Sequence, residues 1–378
     1  MNAPSAGHNG GSIRRSLAVA TVVATVFAAC SSGDDTGAPP DSTAPAAPDP
    51  TVPDTTAPPS IASESTVPPT TAPDTTVAPT TLPERADPSI FDYEQVRPVE
   101  FEVVSTTTFR GVDIDRIKFD SPLGGLAYGY LSRPIGEPAP GAAVLWAHGA
   151  PSDGKDSHVP MAIFACAGAT SIVVDAPYAR PGALRSGEAF LFTSQDRDEQ
   201  IQLVVDMRRG LDLLADLGGE RFGFGGISYG SAIGGQLIGV DDRVEAAVLL
   251  LGNAGLVERF FDEDGNPIWP LTDLERDAVD EWVAAMLPIE PGRFVADTSA
   301  DVLFMSGTDD PLVPPVEAER YHALGPPEAE LYWMDEAHDI PFEDMFLHNR
   351  FIGDRIGIDP ERLDTCMDEL FPNRWDDL

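Results

Sequence analysis

The chain has 378 residues, with 62 Asp+Glu against 24 Lys+Arg and a formal net charge of −38. So acidic a surface repels phosphate backbones and anionic headgroups, which argues against nucleic acid or a charge-held lipid surface as partner. Three cysteines (Cys30, Cys166, Cys366) are too few for a disulfide-built scaffold, so fold must come from a packed core, either two or three small domains or one large α/β unit.

In chain order, residues 1–30 read as an export signal: Arg14 and Arg15 precede an uncharged apolar run over 17–29, shorter than the ~20 residues a membrane span needs. The run ends Val26-Phe27-Ala28-Ala29-Cys30, followed by polar residues. Small residues directly before a cysteine resemble a bacterial lipoprotein lipobox, although Phe27 stands where an aliphatic residue is usual. That resemblance implies lipidation of Cys30 and display on the outer face of the cytoplasmic membrane; plain secretion with cleavage near Ala29 is the alternative. Residues 31–90 are Pro, Thr, Ala, Ser and Asp, with Pro53-Asp54-Thr55-Thr56 recurring as Pro73-Asp74-Thr75-Thr76. Such a composition cannot bury a core and is expected to form an extended tether, which at ~3.1 Å per residue reaches at most ~180 Å.

The globular domain is expected over 91–378, where most of the acidic excess falls. Residues 101–107 and 112–119 alternate and carry β-branched residues, the pattern of an antiparallel hairpin, and 126–131 is a third short strand. The unbroken apolar run 142–147 fits a buried parallel strand ending in His148-Gly149-Ala150-Pro151. A helix is predicted near 159–167 and a strand over 171–174. The clearest helix spans 194–217, with Asp196, Asp198 and Glu199 in its first turn, a Leu203/Met207/Leu211/Leu214 stripe, and Gly218-Gly219 at its end. A strand at 221–225, a small-residue helix at 231–239 and a strand at 244–251 follow. Residues 253–298 then break the rhythm with Phe260, Phe261, Trp269 and Trp282; a stretch of that length is either a small lid or a packed excursion. Strands at 302–305 and 331–334 and helices at 314–323, 341–355 and 360–370 complete a mostly parallel α/β sheet.

Chemistry gathers where these strands end. Gly226-Ile227-Ser228-Tyr229-Gly230 fits G-x-S-x-G, a serine on a sharp strand-to-helix turn that needs glycine on either side for steric reasons. Gly307-Thr308-Asp309-Asp310-Pro311-Leu312-Val313-Pro314 follows one late strand and Glu336-Ala337-His338-Asp339 the next. A serine hydroxyl is a poor nucleophile unless a base, an orienting group and oxyanion donors surround it. With the HG loop, the serine turn, the G-x-x-D-x-x-V-P segment and the late histidine in that order, residues 141–340 resemble an α/β-hydrolase.

The resemblance implies a mostly parallel central sheet with helices on both faces and a small lid insertion at 253–298. It implies Ser228 as nucleophile, His338 as general base and Asp310 as the group holding the imidazole, with Asp309 as rival for that place or both aspartates as helix caps. The oxyanion donors would be the N–H groups of Tyr229 and Ala150, since Pro151 has none. His148 resembles the structural histidine of the HG loop, and His158, His322 and His348 read as solvated. No metal or cofactor is expected, because the chain contains neither H-E-x-x-H nor C-x-x-C. The implied activity is hydrolysis of a small-molecule carboxylic ester through an acyl-enzyme. A serine exopeptidase of the same fold, or a catalytically silent tethered binding module, are the alternatives. Cys166 and Cys366 lie on helices that pack on one face of the sheet in that fold, so they either bridge or, Cys166 being in an apolar run, stay free.

Overall fold

The computed structural model describes residues 85–183, 189–262 and 264–372. The signal at 1–30, lipidation at Cys30 and nearly all of the 31–90 tether lie outside the described residues. Among the described residues nine strands form one sheet: β1 (Phe101–Phe109), β2 (Val112–Asp120), β3 (Leu126–Ser132), β4 (Ala142–Ala147), β5 (Thr170–Val174), β6 (Arg221–Ile227), β7 (Val244–Leu250), β8 (Asp301–Gly307) and β9 (Glu330–Met334). Their spatial order is β1-β2-β3-β5-β4-β6-β7-β8-β9. The first three join antiparallel and β3 meets β5 antiparallel, whereas β4 to β9 run parallel to one another.

Continuous apolar runs become parallel strands here because both faces of the sheet are covered. In β4, Ala143, Leu145 and Ala147 enter one core while Ala142, Val144 and Trp146 enter the other. The first core is roofed by α2 (Ser194–Asp216), α3 (Tyr229–Val240) and α4 (Arg276–Met286), with Tyr321 and Leu324 of α5 (Pro315–Leu324). The second is roofed by α1 (His158–Cys166), α6 (Phe342–Arg355) and α7 (Pro360–Leu370). Among the described residues no helix is long and apolar enough to cross a membrane.

The helices α1 and α7 lie side by side, and a disulfide joins Cys166 to Cys366 with Cα atoms 5.8 Å apart. This answers the question left open by sequence in favour of the bridge. It closes a loop with a sequence separation of 200, for which chain entropy alone suggests about 5 kcal/mol of stabilisation.

Packing starts ahead of residue 91. Asp87 caps a 3-10 turn over Pro88–Phe91, and Phe91 is fully buried edge-on to Phe294. Arg208 of α2 donates to the Phe91 carbonyl at 2.7 Å, and Tyr93 Oη donates to Asp212 at 2.8 Å. Asp212 and Asp241 are buried anions, neutralised by Arg243 and, for Asp241, Arg208. The pairing holds Asp241 below the usual carboxylate range despite its burial.

The helix α6 turns a face inward that sequence reading placed in solvent: His348 is buried edge-on to Trp146, and burial pushes its pKa down to about 3. The reason is helical phase, since His348 sits a turn before the buried Phe351 and Ile352. His158 likewise opens α1 against the Tyr130 ring rather than lying free in a loop.

Candidate active site

The turn from β6 to α3 carries Ser228 at φ +54° and ψ −117°. Positive φ on a residue with a Cβ costs on the order of 1–3 kcal/mol and persists only where its surroundings force it. Here they do: Ser228 N–H donates to the Leu250 carbonyl of β7 at 2.8 Å, and the Ser231 and Ala232 N–H groups of α3 bond the Ser228 carbonyl. A Cβ on Gly226 would strike the Gly230 carbonyl, and one on Gly230 the Ala147 carbonyl of β4. The turn therefore admits only glycine at both places, as the motif requires.

The serine hydroxyl projects to His338, which follows β9. His338 Nε2 lies 2.9 Å from Ser228 Oγ, and Nδ1 lies 2.6 Å from Asp310 Oδ2. A carboxylate only accepts, so Nδ1 carries the proton and Nε2 presents its lone pair to the hydroxyl. Asp310 Oδ1 accepts from the Leu312 and Val313 N–H groups at 2.8 and 2.9 Å. Orienting carboxylate and turn cap are thus one residue, and the side chains of His338 and Asp310 are only 3% and 1% exposed. Asp309, the rival, is exposed, and its own N–H is tied to the Glu336 carbonyl.

The loop after β4 lies against the serine, with Gly149 near enough that a Cβ there would sit 3.5 Å from Ser228 Cβ. The Gly149 carbonyl is held by Ser152 Oγ at 2.8 Å, Tyr178 Oη at 3.3 Å and His148 Nδ1 at 2.9 Å. His148 Nε2 accepts the Ala176 N–H at 3.0 Å, so its proton is on Nδ1 and the ring is a buried brace of the loop. A trans peptide aims its N–H opposite its carbonyl. Fixing the Gly149 carbonyl therefore fixes the Ala150 N–H, which finds no protein acceptor among the described residues. Tyr229 opens α3, where the first N–H groups have no intrahelical acceptor.

Aromatic rings cluster beside the serine turn. Tyr229 contacts Tyr178 and Phe190, each at 6.0 Å between centroids, and Phe190 continues to Phe260 at 5.6 Å. Phe192 and Trp282 close the cluster, 5.2 Å apart. Of the two tryptophans in 253–298, Trp282 on α4 is fully buried and donates to Asp196 Oδ2 at 3.0 Å, whereas Trp269 is 57% exposed. The same carboxylate accepts the Leu191 and Phe192 N–H groups at 2.8 and 2.7 Å. Sequence reading explained Asp196 by the helix dipole and missed that it pins the loop bearing Phe190 and Phe192. The signal available was its place directly after that aromatic pair. The segment 253–298 is a string of 3-10 turns around α4, packed on α2, so aromatic packing and position beside the site coincide in it.

No protein-family model and no curated protein matches this sequence. Among solved structures, an acetyl xylan esterase from Paenibacillus sp. R4 is 19% identical, with 68% of this chain and 90% of that one aligned at a TM-score of 0.55. Acetyl xylan esterase 1 from Thermoanaerobacterium sp. JW/SL YS485 is 18% identical, over 72% and 94% of the two chains, at 0.57. Likeness at this level carries the architecture: the chain has the α/β-hydrolase fold, a mixed sheet with helices on both sides, as its sequence implies.

Proposed function

We propose that this protein is a serine hydrolase that cleaves small carboxylic esters through an acyl-enzyme. The observation that carries the reading is the continuous relay from Ser228 Oγ through both nitrogens of His338 to Asp310, with the serine on a positive-φ turn. Ser228 Oγ attacks the ester carbonyl carbon as its proton passes to His338 Nε2, and the carbonyl π pair moves onto oxygen. The Tyr229 and Ala150 N–H groups are suited to receive that oxyanion, where each donor is worth roughly 2.7–4 kcal/mol. The pair returns as the alkoxide leaves with the proton from Nε2. Water then repeats the sequence on the acyl-enzyme, releasing the acid and Ser228. Asp310 keeps the imidazole in the useful tautomer and stabilises the imidazolium, its position set by two main-chain N–H groups.

An ester rather than a peptide is favoured by the rings beside the serine turn. Phe190, Phe192, Phe260 and Tyr229 offer no carboxylate to a substrate amine, and the nearby Asp196 is fully engaged. That both solved structures described above bear the name acetyl xylan esterase adds support. Export is proposed from sequence alone: Cys30 becomes the lipid-bearing N-terminus and residues 31–90 hold the enzyme outside the cytoplasmic membrane. A disulfide at Cys166–Cys366 suits that oxidising side.

Fluorophosphonate labelling combined with a panel of aryl esters and aminoacyl arylamides tests the activity. The expected result is an adduct on Ser228, absent from Ser228→Ala, with ester turnover and no arylamide turnover. Arylamide turnover alone would replace the esterase by a peptidase. Silence on both, without labelling, would leave a tethered binding module.

A further inference from the structure

Cations are scarce in this acidic chain, and nearly every described arginine is clasped by a carboxylate or donates to a backbone carbonyl. Arg259 differs. Among the described residues no carboxylate or carbonyl accepts from its guanidinium, and the residue is exposed. The carboxylates nearest at hand are already committed: Glu258, its chain neighbour, is held in a fork by Arg320, and Asp310 by His338 and two N–H groups. The position is at the site. Its Cζ lies 5.5 Å from the Phe260 ring centroid, Phe260 touches Phe190, and Phe190 touches Tyr229, the residue after Ser228. The charge of Asp310 also reaches the guanidinium and opposes the lowering of its pKa by desolvation.

A bare arginine here is costly to the proposed chemistry, because a cation near the relay disfavours the imidazolium that must form on His338. An anion seated on the guanidinium removes that penalty. We propose that Arg259 is a specificity residue that binds a carboxylate carried by the ester substrate, so that the preferred substrates are half-esters with a free carboxylate, such as monoesters of short dicarboxylic acids. A planar guanidinium fork matches a carboxylate in two parallel hydrogen bonds. The surrounding field, negative overall, discourages anions elsewhere on the surface and leaves this point as an exception. Stacking on Phe260 alone, worth about 0.5–1 kcal/mol at an exposed site, predicts no such preference.

The inference rests on the ester-hydrolase reading, so its test has one arm that needs no turnover. In the full-length protein, kcat/KM is compared for 4-nitrophenyl hemiglutarate and the neutral 4-nitrophenyl valerate. Arg259→Gln should lower the hemiglutarate-to-valerate ratio by about 10- to 100-fold, the worth of a charge-assisted hydrogen bond, and Arg259→Lys should recover part of it. An unchanged ratio in Arg259→Gln overturns the proposal. In the second arm, monomethyl glutarate is titrated calorimetrically into Ser228→Ala with and without Arg259→Gln. Binding that weakens by a similar factor supports the anion site, even if neither ester is turned over and the hydrolase reading fails. Binding that is absent, or equal in both proteins, overturns it, even if valerate is hydrolysed and the hydrolase reading stands.

Discussion

Of the regions in which this molecule buries aspartate, two use it in opposite ways. Beneath the N-terminal segment, Asp212 on α2 and Asp241 at the end of α3 pair with Arg243 and, for Asp241, Arg208, partners whose charge is permanent. At the carboxyl ends of β8 and β9, Asp310 is equally buried, but its partner His338 is an imidazole that can gain and lose a proton. A carboxylate balanced by guanidinium is finished and can only hold things together. One balanced by main-chain N–H groups and a neutral ring still has electrostatic work available when charge appears on the ring. What separates structure from chemistry here is the partner, not the burial.

Substitutions can break that contrast. Asp310→Asn should lower kcat by about 10⁴-fold, because the ring loses the acceptor that fixes its tautomer, with little effect on melting. Asp309→Asn should leave kcat within about 3-fold, on the usual scale of a surface change. The opposite pattern in steady-state kinetics on an aryl ester would remove Asp310 from the relay.

Asp212→Asn is the complementary case. It leaves Arg243 and the Tyr93 hydroxyl short of a buried partner, and the expected loss is about 3–5 kcal/mol in urea unfolding, with kcat intact in the folded fraction. A collapse of kcat without loss of stability would erase the distinction between the regions.

The two tryptophans sharpen the same contrast within 253–298. Trp282→Ala should cost about 3–5 kcal/mol, whereas Trp269→Ala should stay within about 0.5 kcal/mol. If Trp269→Ala instead shifts acyl-chain preference, that exposed ring faces substrate.

The smallest effect is a pH dependence. Glu290 is buried and accepts from the Leu256 and Val257 N–H groups, yet burial pushes its pKa up to about 7. The unfolded chain gives up this proton near pH 4.5, so the contribution of Glu290 to stability is full below that value and is lost as pH rises through 7. Glu290→Gln should flatten the decline in unfolding free energy over that window, which urea titrations at several pH values would record. An unaltered slope would show that other groups set it.

Much of this was legible in sequence wherever short-range sterics or two-sided burial decided the matter. Gly226 and Gly230 are required by carbonyls on their doorstep, and the apolar run of β4 is required by cores on both faces. Ser228, Asp310 and His338 were readable because each follows a strand end in fixed order. Less was legible where tertiary contact overrode local character. Residues 86–90 look like tether by composition, yet Ile90 and Ala86 pack on the core because Phe91 draws them in. Phe190 and Phe192 lie in a loop without periodicity, and Phe192 takes φ +59° under the grip of Asp196. The bridge between Cys166 and Cys366 depends on α1 meeting α7, which no local pattern encodes.

That bridge has a topological result. Residues 166–366 form a covalent ring, and Ser228, Asp310 and His338 all lie on it, as does Arg259. A single protease cut in any surface loop between the two cysteines opens the ring without releasing a fragment. The nicked protein would migrate as one species on a non-reducing denaturing gel and as two after reduction, with Ser228, Asp310 and His338 still on one molecule. On the export proposed above, a first cut by an extracellular protease would not separate the parts.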